Sequence, residues 1–315
     1  MRRPVRVGPE PCRLSAAASV RGAAHQRSGM PNQDAFGLFP APGLGDGLLV
    51  ALADGHGSAK SFRSETGSRL AVQAAQAVLG ALLEPGCERP EPSALRDMAE
   101  ARFPREIVRE WRRLVDEDLA ARPIDDGEWE RLCSREGASA RRTVEENPYH
   151  AYGATLLAAL LLGNLHLYLQ IGDGDIVAVG ADGAAWRPVP GDARLLANAT
   201  TSLARKDAWR DFRRAHALPP SLPALLLLAT DGYANSFAED AGFLQVASDI
   251  HAMVARGKWA EVATGLEGWL TDASSQGSGD DVTAAVVAQA GPWPRRSRRP
   301  ALWLHFRCKC PTNRV

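Results

Sequence analysis

The spacing of apolar and polar positions divides the chain into runs of strand period and runs of helix period. Residues 14–20 and 48–53 predict two strands, and the second runs directly into Asp54-Gly55-His56-Gly57. From near Ser61 the period becomes helical, with Leu70, Ala74, Val78 and Leu82 on one face, until Pro85-Gly86 stops it. Residues 87–147 are charged and helix-forming, with Trp111, Leu114, Trp129 and Leu132 as apolar anchors, and predict an added helical segment. Residues 21–34, rich in Gly, Ser, Pro and Asn, predict a loop.

Strand period returns at Gly153. Runs 153–162, 165–171 and 176–179, and a strand around Trp186, are separated by Gly163-Asn164, Gly172-Asp173-Gly174-Asp175 and Asp182-Gly183, which predicts an antiparallel meander. The stretch 154–172 has roughly the length of a membrane span, but Gly163, Asn164, His166 and Gln170 interrupt it, so two buried strands are the better reading. A mixed loop and helix segment follows. Then come a strand at 224–229 ending in Thr230-Asp231-Gly232, helices at 236–253 and 258–272, a Ser/Gly loop at 274–281 and a strand at 282–288. One domain over 14–290 is expected, between a loose tail at 1–13 and a basic tail at 291–315 that carries Arg295-Arg296-Ser297-Arg298-Arg299 and Cys308-Lys309-Cys310.

Composition narrows the partners more than the fold. The 315 residues carry 37 basic and 37 acidic side chains, so no global field draws the molecule to nucleic acid or a membrane, and phosphate binding has to be local. Cys12, Cys87, Cys133, Cys308 and Cys310 are spread without zinc spacing and read as free thiols of a reducing compartment. With no apolar stretch of a secretory signal at the N-terminus, a cytoplasmic monomer is expected.

The candidate chemistry lies at the strand ends. Asp34, Asp54, Asp173, Asp231 and Asp280 or Asp281 each sit beside a glycine-rich or polar turn at the edge of a predicted strand. Carboxylates gathered at a sheet edge repel one another, and Mg²⁺ or Mn²⁺ relieves the repulsion while supplying a reaction centre. An isolated Asp-Gly is more often a turn than a ligand; the neighbours and their order decide here.

Those neighbours resemble the metal-dependent, type 2C family of serine/threonine protein phosphatases, in a divergent bacterial-type branch. Val50-Ala51-Leu52-Ala53-Asp54-Gly55-His56-Gly57 is similar to the family's signature strand and metal turn, and Asn32-Gln33-Asp34-Ala35 to its first acidic motif, with Gln33 where glutamate is commoner. Tyr152-Gly153-Ala154-Thr155, Ile171-Gly172-Asp173-Gly174, Leu228-Ala229-Thr230-Asp231-Gly232 and Gly279-Asp280-Asp281-Val282-Thr283 follow in family order. Asn198-Ala199-Thr200-Thr201-Ser202-Leu203, with Gln33, marks the divergent branch.

The resemblance implies an α+β fold, a four-layer α/β/β/α sandwich of two antiparallel sheets flanked by helices, with a metal cleft at one edge. It implies two Mn²⁺ or Mg²⁺ ions bridged by Asp54, with Asp34, Asp231, Asp280 and the Gly55 carbonyl as further ligands, and a bridging hydroxide that attacks phosphorus directly. Asp173 resembles the carboxylate that helps hold a third ion, although Asn235 stands where some members have a further aspartate. His56 becomes the candidate general acid. For the phosphate-binding cation the loop offers Arg21, His25 and Arg27 at a spacing unlike the family's, and Arg27 is taken as the candidate. The implied partner is a phosphorylated protein, opposing a serine/threonine kinase. A catalytically silent regulator on the same fold is the alternative from another class; a nuclease would need a basic groove for which the balanced charge gives no support.

Overall fold

Successive side chains of a strand point to opposite faces, and here both faces are apolar. In β3 (Gly47–Ala53), Leu48, Val50 and Leu52 enter one core while Leu49, Ala51 and Ala53 enter another. β9 (Leu225–Ala229) divides likewise, Leu226 and Leu228 to one side and Leu225, Leu227 and Ala229 to the other. Strands buried on both faces require a layer above and below, which gives three apolar layers between four layers of structure.

The computed structural model describes residues 13–40, 47–192 and 200–289. One sheet has the order β1-β10-β9-β6-β7, with β1 Arg13–Val20, β6 Asp175–Val179, β7 Ala185–Trp186 and β10 Val282–Gln289. The other has the order β2-β3-β4-β5-β8, with β2 Ala35–Phe39, β4 Leu156–Leu162, β5 Leu165–Ile171 and β8 Arg213–Ala217. Every pairing is antiparallel. Leu157, Tyr168, Ile176, Leu228 and Val287 fill the space between the sheets. The first sheet is covered by α8 (Asp240–Ala255) and α9 (Trp259–Ala273), the second by α2 (Ser64–Leu79) and α4 (Phe103–Ala121). The α+β four-layer sandwich is the architecture expected from the motifs.

Residues 92–146 form α3 (Pro92–Asp97), α4, α5 (Asp126–Glu136) and α6 (Ala138–Glu146). Trp111 of α4 is fully buried against α2, and its indole N–H donates to the Gly67 carbonyl at 3.0 Å. Arg63, just before α2, forks onto Glu128 of α5 at 2.8 and 2.6 Å and donates to Tyr152 Oη at 2.7 Å.

Four expectations are corrected. The predicted meander is not continuous: β4 and β5 pair in one sheet, but the chain then crosses to the other, where β6 pairs with β9 and β7. The crossing occurs at Gly172, whose φ of 105° suits only glycine. The loop before Asp34 contains a short helix, α1 (Ala23–Ser28), stopped by Gly29 in a left-handed conformation. β2 escaped sequence reading because Gly37 breaks a run of only five residues, and β8 because it is an edge strand of alternating basic and small residues, Arg-Arg-Ala-His-Ala. The deepest face of α2 is Ala71, Ala74, Ala75 and Leu79, whereas Leu70 and Val78 are only partly buried.

Cys87 and Cys133 are free thiols, whereas Cys12, Cys308, Cys310, Asn198, Ala199, the tail 1–12 and the basic tail lie outside the described residues. Among the described residues no helix is long and apolar enough to cross a membrane; the 154–172 stretch is the β4–β5 hairpin.

Candidate metal centre

Antiparallel pairing sets the end of one strand beside the start of the next, and this brings acidic residues far apart in sequence to one edge of the sandwich. The register Ala35↔Ala53 places Asp34, before β2, level with Asp54, after β3. Ala284↔Ala229 does the same for Asp280-Asp281 before β10 and Asp231 after β9. The Gly172-Asp173-Gly174 crossing enters at the same end, because Asp175↔Ala229 starts β6 opposite the last residue of β9.

Buried threonines fasten this edge, Thr230 across the two sheets and Thr155 within one of them. Thr230 Oγ1 donates to Asp34 Oδ2 at 2.8 Å and accepts from the Thr283 amide at 3.0 Å. The Asp54 amide donates to Thr155 Oγ1 at 3.1 Å, and the Thr155 amide returns a bond to the Asp54 carbonyl at 2.8 Å. The motifs contained these threonines, but nothing in a lone threonine signals that, like Thr230, its hydroxyl crosses between sheets.

Asp280 and Asp281 are adjacent but do different work. Asp281 is buried and accepts from the Gly22 amide at 2.6 Å, the Gln33 amide at 2.6 Å and His25 Nδ1 at 2.9 Å. It pins the loop and α1 against β10, and the Ala24 amide adds a bond to the Gly279 carbonyl at 2.8 Å. Asp280 accepts from the Asp281 amide at 2.8 Å and leaves the rest of its carboxylate toward the other aspartates. That division favours Asp280 over Asp281 as the ligand.

Burial and mutual repulsion make the cluster costly when it is fully charged. Burial first, with the charges of Asp281 and Asp280 behind it, pushes Asp34 up to about 7 against the hydrogen bonds from Thr283 and Thr230. Asp54 is raised well above the usual range by burial and by the charges of Asp34 and Asp231. Asp231 and Asp280 are raised by burial, and the charge of Asp173 adds to both. Asp54 and Asp231 are close enough for each to act on the other, so the pair is held together against its own repulsion.

Dications would offset that repulsion. Among the described residues no three of His, Cys, Asp or Glu close on one point. Mg²⁺-like ions keep several waters and need only one or two carboxylates each, so pairs suffice. Asp34 Oδ1 is buried without a hydrogen-bond partner, an anionic oxygen that a cation would satisfy. A Cβ on Gly55 would lie 2.7 Å from the carbonyl oxygens of Gln33 and Ser64, so only glycine lets the backbone pass this close to the cluster. The donor set, all oxygen, fits Mn²⁺ or Mg²⁺.

His56 sits half-buried at the rim, its amide donating to the Gly153 carbonyl at 3.0 Å. Burial lowers its pKa, the Asp173 carboxylate works in the opposite direction, and His150 adds to the lowering. The structure thus brings Asp34, Asp54, Asp173, Asp231, Asp280 and His56 to one edge. The three basic candidates of the loop are placed differently. His25 is engaged with Asp281, Arg21 donates to the His25 carbonyl at 2.9 Å, and Arg27 is exposed on α1, outside the carboxylate cluster. Asn235 donates to Asp231 Oδ2 at 3.0 Å, a neutral neighbour where a third ion would need charge.

The fold is similar to those of solved bacterial phosphatases, at identities that speak for the fold alone. The catalytic domain of the serine/threonine protein phosphatase PstP, in complex with two manganese ions, aligns with a TM-score of 0.52 at 20% identity, covering 88% of this chain and 97% of that one. The serine/threonine phosphatase Stp1 from Staphylococcus aureus gives 0.52 at 14%, covering 92% and 100%. PppA, a regulatory component of the type VI secretion system in Pseudomonas aeruginosa, gives 0.53 at 17%, covering 88% and 97%. No curated protein sequence matches the chain. The family profile described as protein phosphatase 2C matches residues 21–271, most of the chain and every acidic motif but the last, so the chain is a member of the protein phosphatase 2C family.

Proposed function

We propose that the chain is a metal-dependent protein phosphatase that hydrolyses phosphoserine and phosphothreonine. The observation that carries this reading is the convergence of Asp34, Asp54, Asp231 and Asp280, drawn from four strand ends, on one edge of the sandwich. A silent regulator has no need to keep so many repelling carboxylates together.

Asp34, Asp54, Asp231, Asp280 and the Gly55 carbonyl would hold two Mn²⁺ or Mg²⁺ ions. Such ions neutralise phosphoryl oxygens and make a nucleophile available from water near neutral pH. The chain's own contribution is placement. Thr230 and Thr155 lock Asp34 and the Asp54 backbone, and Asp281 holds the loop that carries Asp34. His56 would hand a proton to the leaving serine or threonine oxygen from its cationic form, which burial disfavours and the Asp173 carboxylate supports, returning to the neutral ring. Arg27, exposed beside the site on α1, would reach incoming phosphate as a mobile fork. The substrate would be a phosphoprotein written by a serine/threonine kinase and met by a cytoplasmic monomer.

The test is release of phosphate from a phosphothreonine peptide and from p-nitrophenyl phosphate, with and without Mn²⁺, beside Asp54→Asn and Asp231→Asn. Metal-dependent turnover that both substitutions abolish supports the reading. Folded, metal-loaded protein that turns over neither substrate transfers support to the regulatory alternative.

A further inference from the structure

His56 is seated on backbone. Its amide donates to the Gly153 carbonyl at 3.0 Å. A Cβ on Gly153 would lie 2.6 Å from His56 Cδ2 and 3.0 Å from Ser61 Oγ, so the imidazole and the Ser61 hydroxyl both rest against a residue with no side chain. The ring therefore goes where the chain around Gly153 and Ser61 goes.

Both sides of that seat are fastened to the helical segment 92–146. On one side Tyr152, the neighbour of Gly153, is fully buried, and its hydroxyl donates to Asp118 Oδ2 of α4 at 2.6 Å while accepting from Arg63 Nη1 at 2.7 Å. Phenylalanine would fill the same space; what the hydroxyl adds is a charge-assisted bond to another element. On the other side the chain leads from Ser61 into Phe62, whose ring meets Trp129 of α5 edge-on at a centroid distance of 6.3 Å. Next comes Arg63, forked onto Glu128 of α5 and donating to the carbonyls of Arg122 at 2.6 Å and Pro123 at 3.0 Å. The Arg63 amide closes the circuit, donating to the Ala151 carbonyl at 2.8 Å.

We infer that the helical segment 92–146 positions His56 for proton transfer to the leaving oxygen, with Asp118 and Tyr152 as positioning residues that act through Gly153. The inference rests on the phosphatase reading and deepens it: a segment that supplies no ligand to the acidic edge sets the rate on a poor leaving group. A leaving oxygen that departs readily as an anion, such as p-nitrophenolate, has little need of a proton; phenolate needs one more, and a serine or threonine alkoxide most of all. Loosening the seat therefore costs most where the proton matters most.

The experiment measures kcat and KM for p-nitrophenyl phosphate, phenyl phosphate and a phosphothreonine peptide, with the full chain at saturating Mn²⁺, for wild type, Tyr152→Phe, Asp118→Ala, their double variant and His56→Gln. Tyr152→Phe and Asp118→Ala should each lower kcat for phenyl phosphate about tenfold more than for p-nitrophenyl phosphate, in the direction of His56→Gln, with KM little moved. The double variant should lose no more than either single one, because both break the same joint. Equal losses on the two aryl phosphates, which a merely loosened fold would give, overturn the positioning role. If His56→Gln itself lowers all three substrates equally, His56 donates no proton and the inference falls while the phosphatase reading stands. If wild type turns over none of them, the phosphatase reading falls by itself, and the imidazole Hε1 resonance of His56, identified by its loss in His56→Gln, decides the joint: a shift in Asp118→Ala supports it, coincidence with wild type overturns it.

Discussion

The space between the two sheets and the acidic edge a few residues away are built on the same strands by opposite rules. Between the sheets Leu52, Leu157, Leu228 and Val287 meet with no charge. Beyond the ends of β3, β9 and β10 the chain comes to the rim and the side chains become the half-buried Asp54 and Asp231 and the more exposed Asp280, each pushed toward its neutral form. The middle of a strand is where the fold gains stability, and its end is where that stability supports a cluster that would not hold together alone.

The largest expected effect breaks the acidic edge without touching the core. Asp54→Asn keeps size and shape but removes the carboxyl group on which both Asp34 and Asp231 act, and should lower kcat/KM for a phosphothreonine peptide by roughly 10³-fold or more. Steady-state kinetics at saturating Mn²⁺ check this; a loss below about tenfold would show that Asp54 is not central. The converse is Leu228→Ala in the inter-sheet core, expected to cost about 3 kcal/mol in urea unfolding while the folded fraction keeps its kcat/KM. If activity per folded molecule fell with stability, the separation of middle from end would fail.

A smaller effect sits inside the core itself. His166 of β5 is buried on the face that carries Tyr168, with Nδ1 3.3 Å from Tyr168 Oη, and its Nε2 has no partner. Burial, then the Arg13 charge, pulls its pKa down to about 3. A histidine depressed in the folded state is bound by a proton first in the unfolded state, so its contribution is complete above about pH 6.5 and drains away as pH falls toward 3. Between pH 7 and pH 5 the wild type should lose about 2 kcal/mol more than His166→Gln, read as the difference between their urea curves. Parallel losses would mean that the ring takes up its proton in the folded chain.

Most of the sandwich was legible because doubly buried strands are continuous apolar runs, as in Leu156–Leu162 and Leu225–Ala229, and because the strands that lead to the site, such as Gly47–Ala53 and Leu225–Ala229, end in a turn with an acidic residue. The carboxylates of the candidate site were legible for the same reason. What escaped was long-range by nature. That β6 leaves β5 for β9 is decided by sheet pairing, not by local pattern. Edge strand β8 buries too little to show a period, and α1 is a single turn that depends on Asp281, some 250 residues away, for its anchor. Asp281 looked interchangeable with Asp280 until its three hydrogen-bond donors could be counted.

The smallest expected effect sharpens the comparison most, because its sign changes with the metal. Without divalent ions folding at neutral pH must crowd Asp54 among other carboxyl groups and push it toward its neutral form, a cost that Asp54→Asn removes, so in EDTA at neutral pH the variant should be the more stable by about 1 kcal/mol. Adding Mn²⁺ stabilises whichever form binds it, by about 2.7 kcal/mol at a hundredfold excess over Kd, and the wild type should then overtake the variant. Thermal unfolding in EDTA and in Mn²⁺ gives both signs from one pair of proteins. A variant less stable than wild type under both conditions would mean that Asp54 is held by hydrogen bonds rather than opposed by charge. The acidic edge would then be a structural feature, built by the same rule as the core beside it.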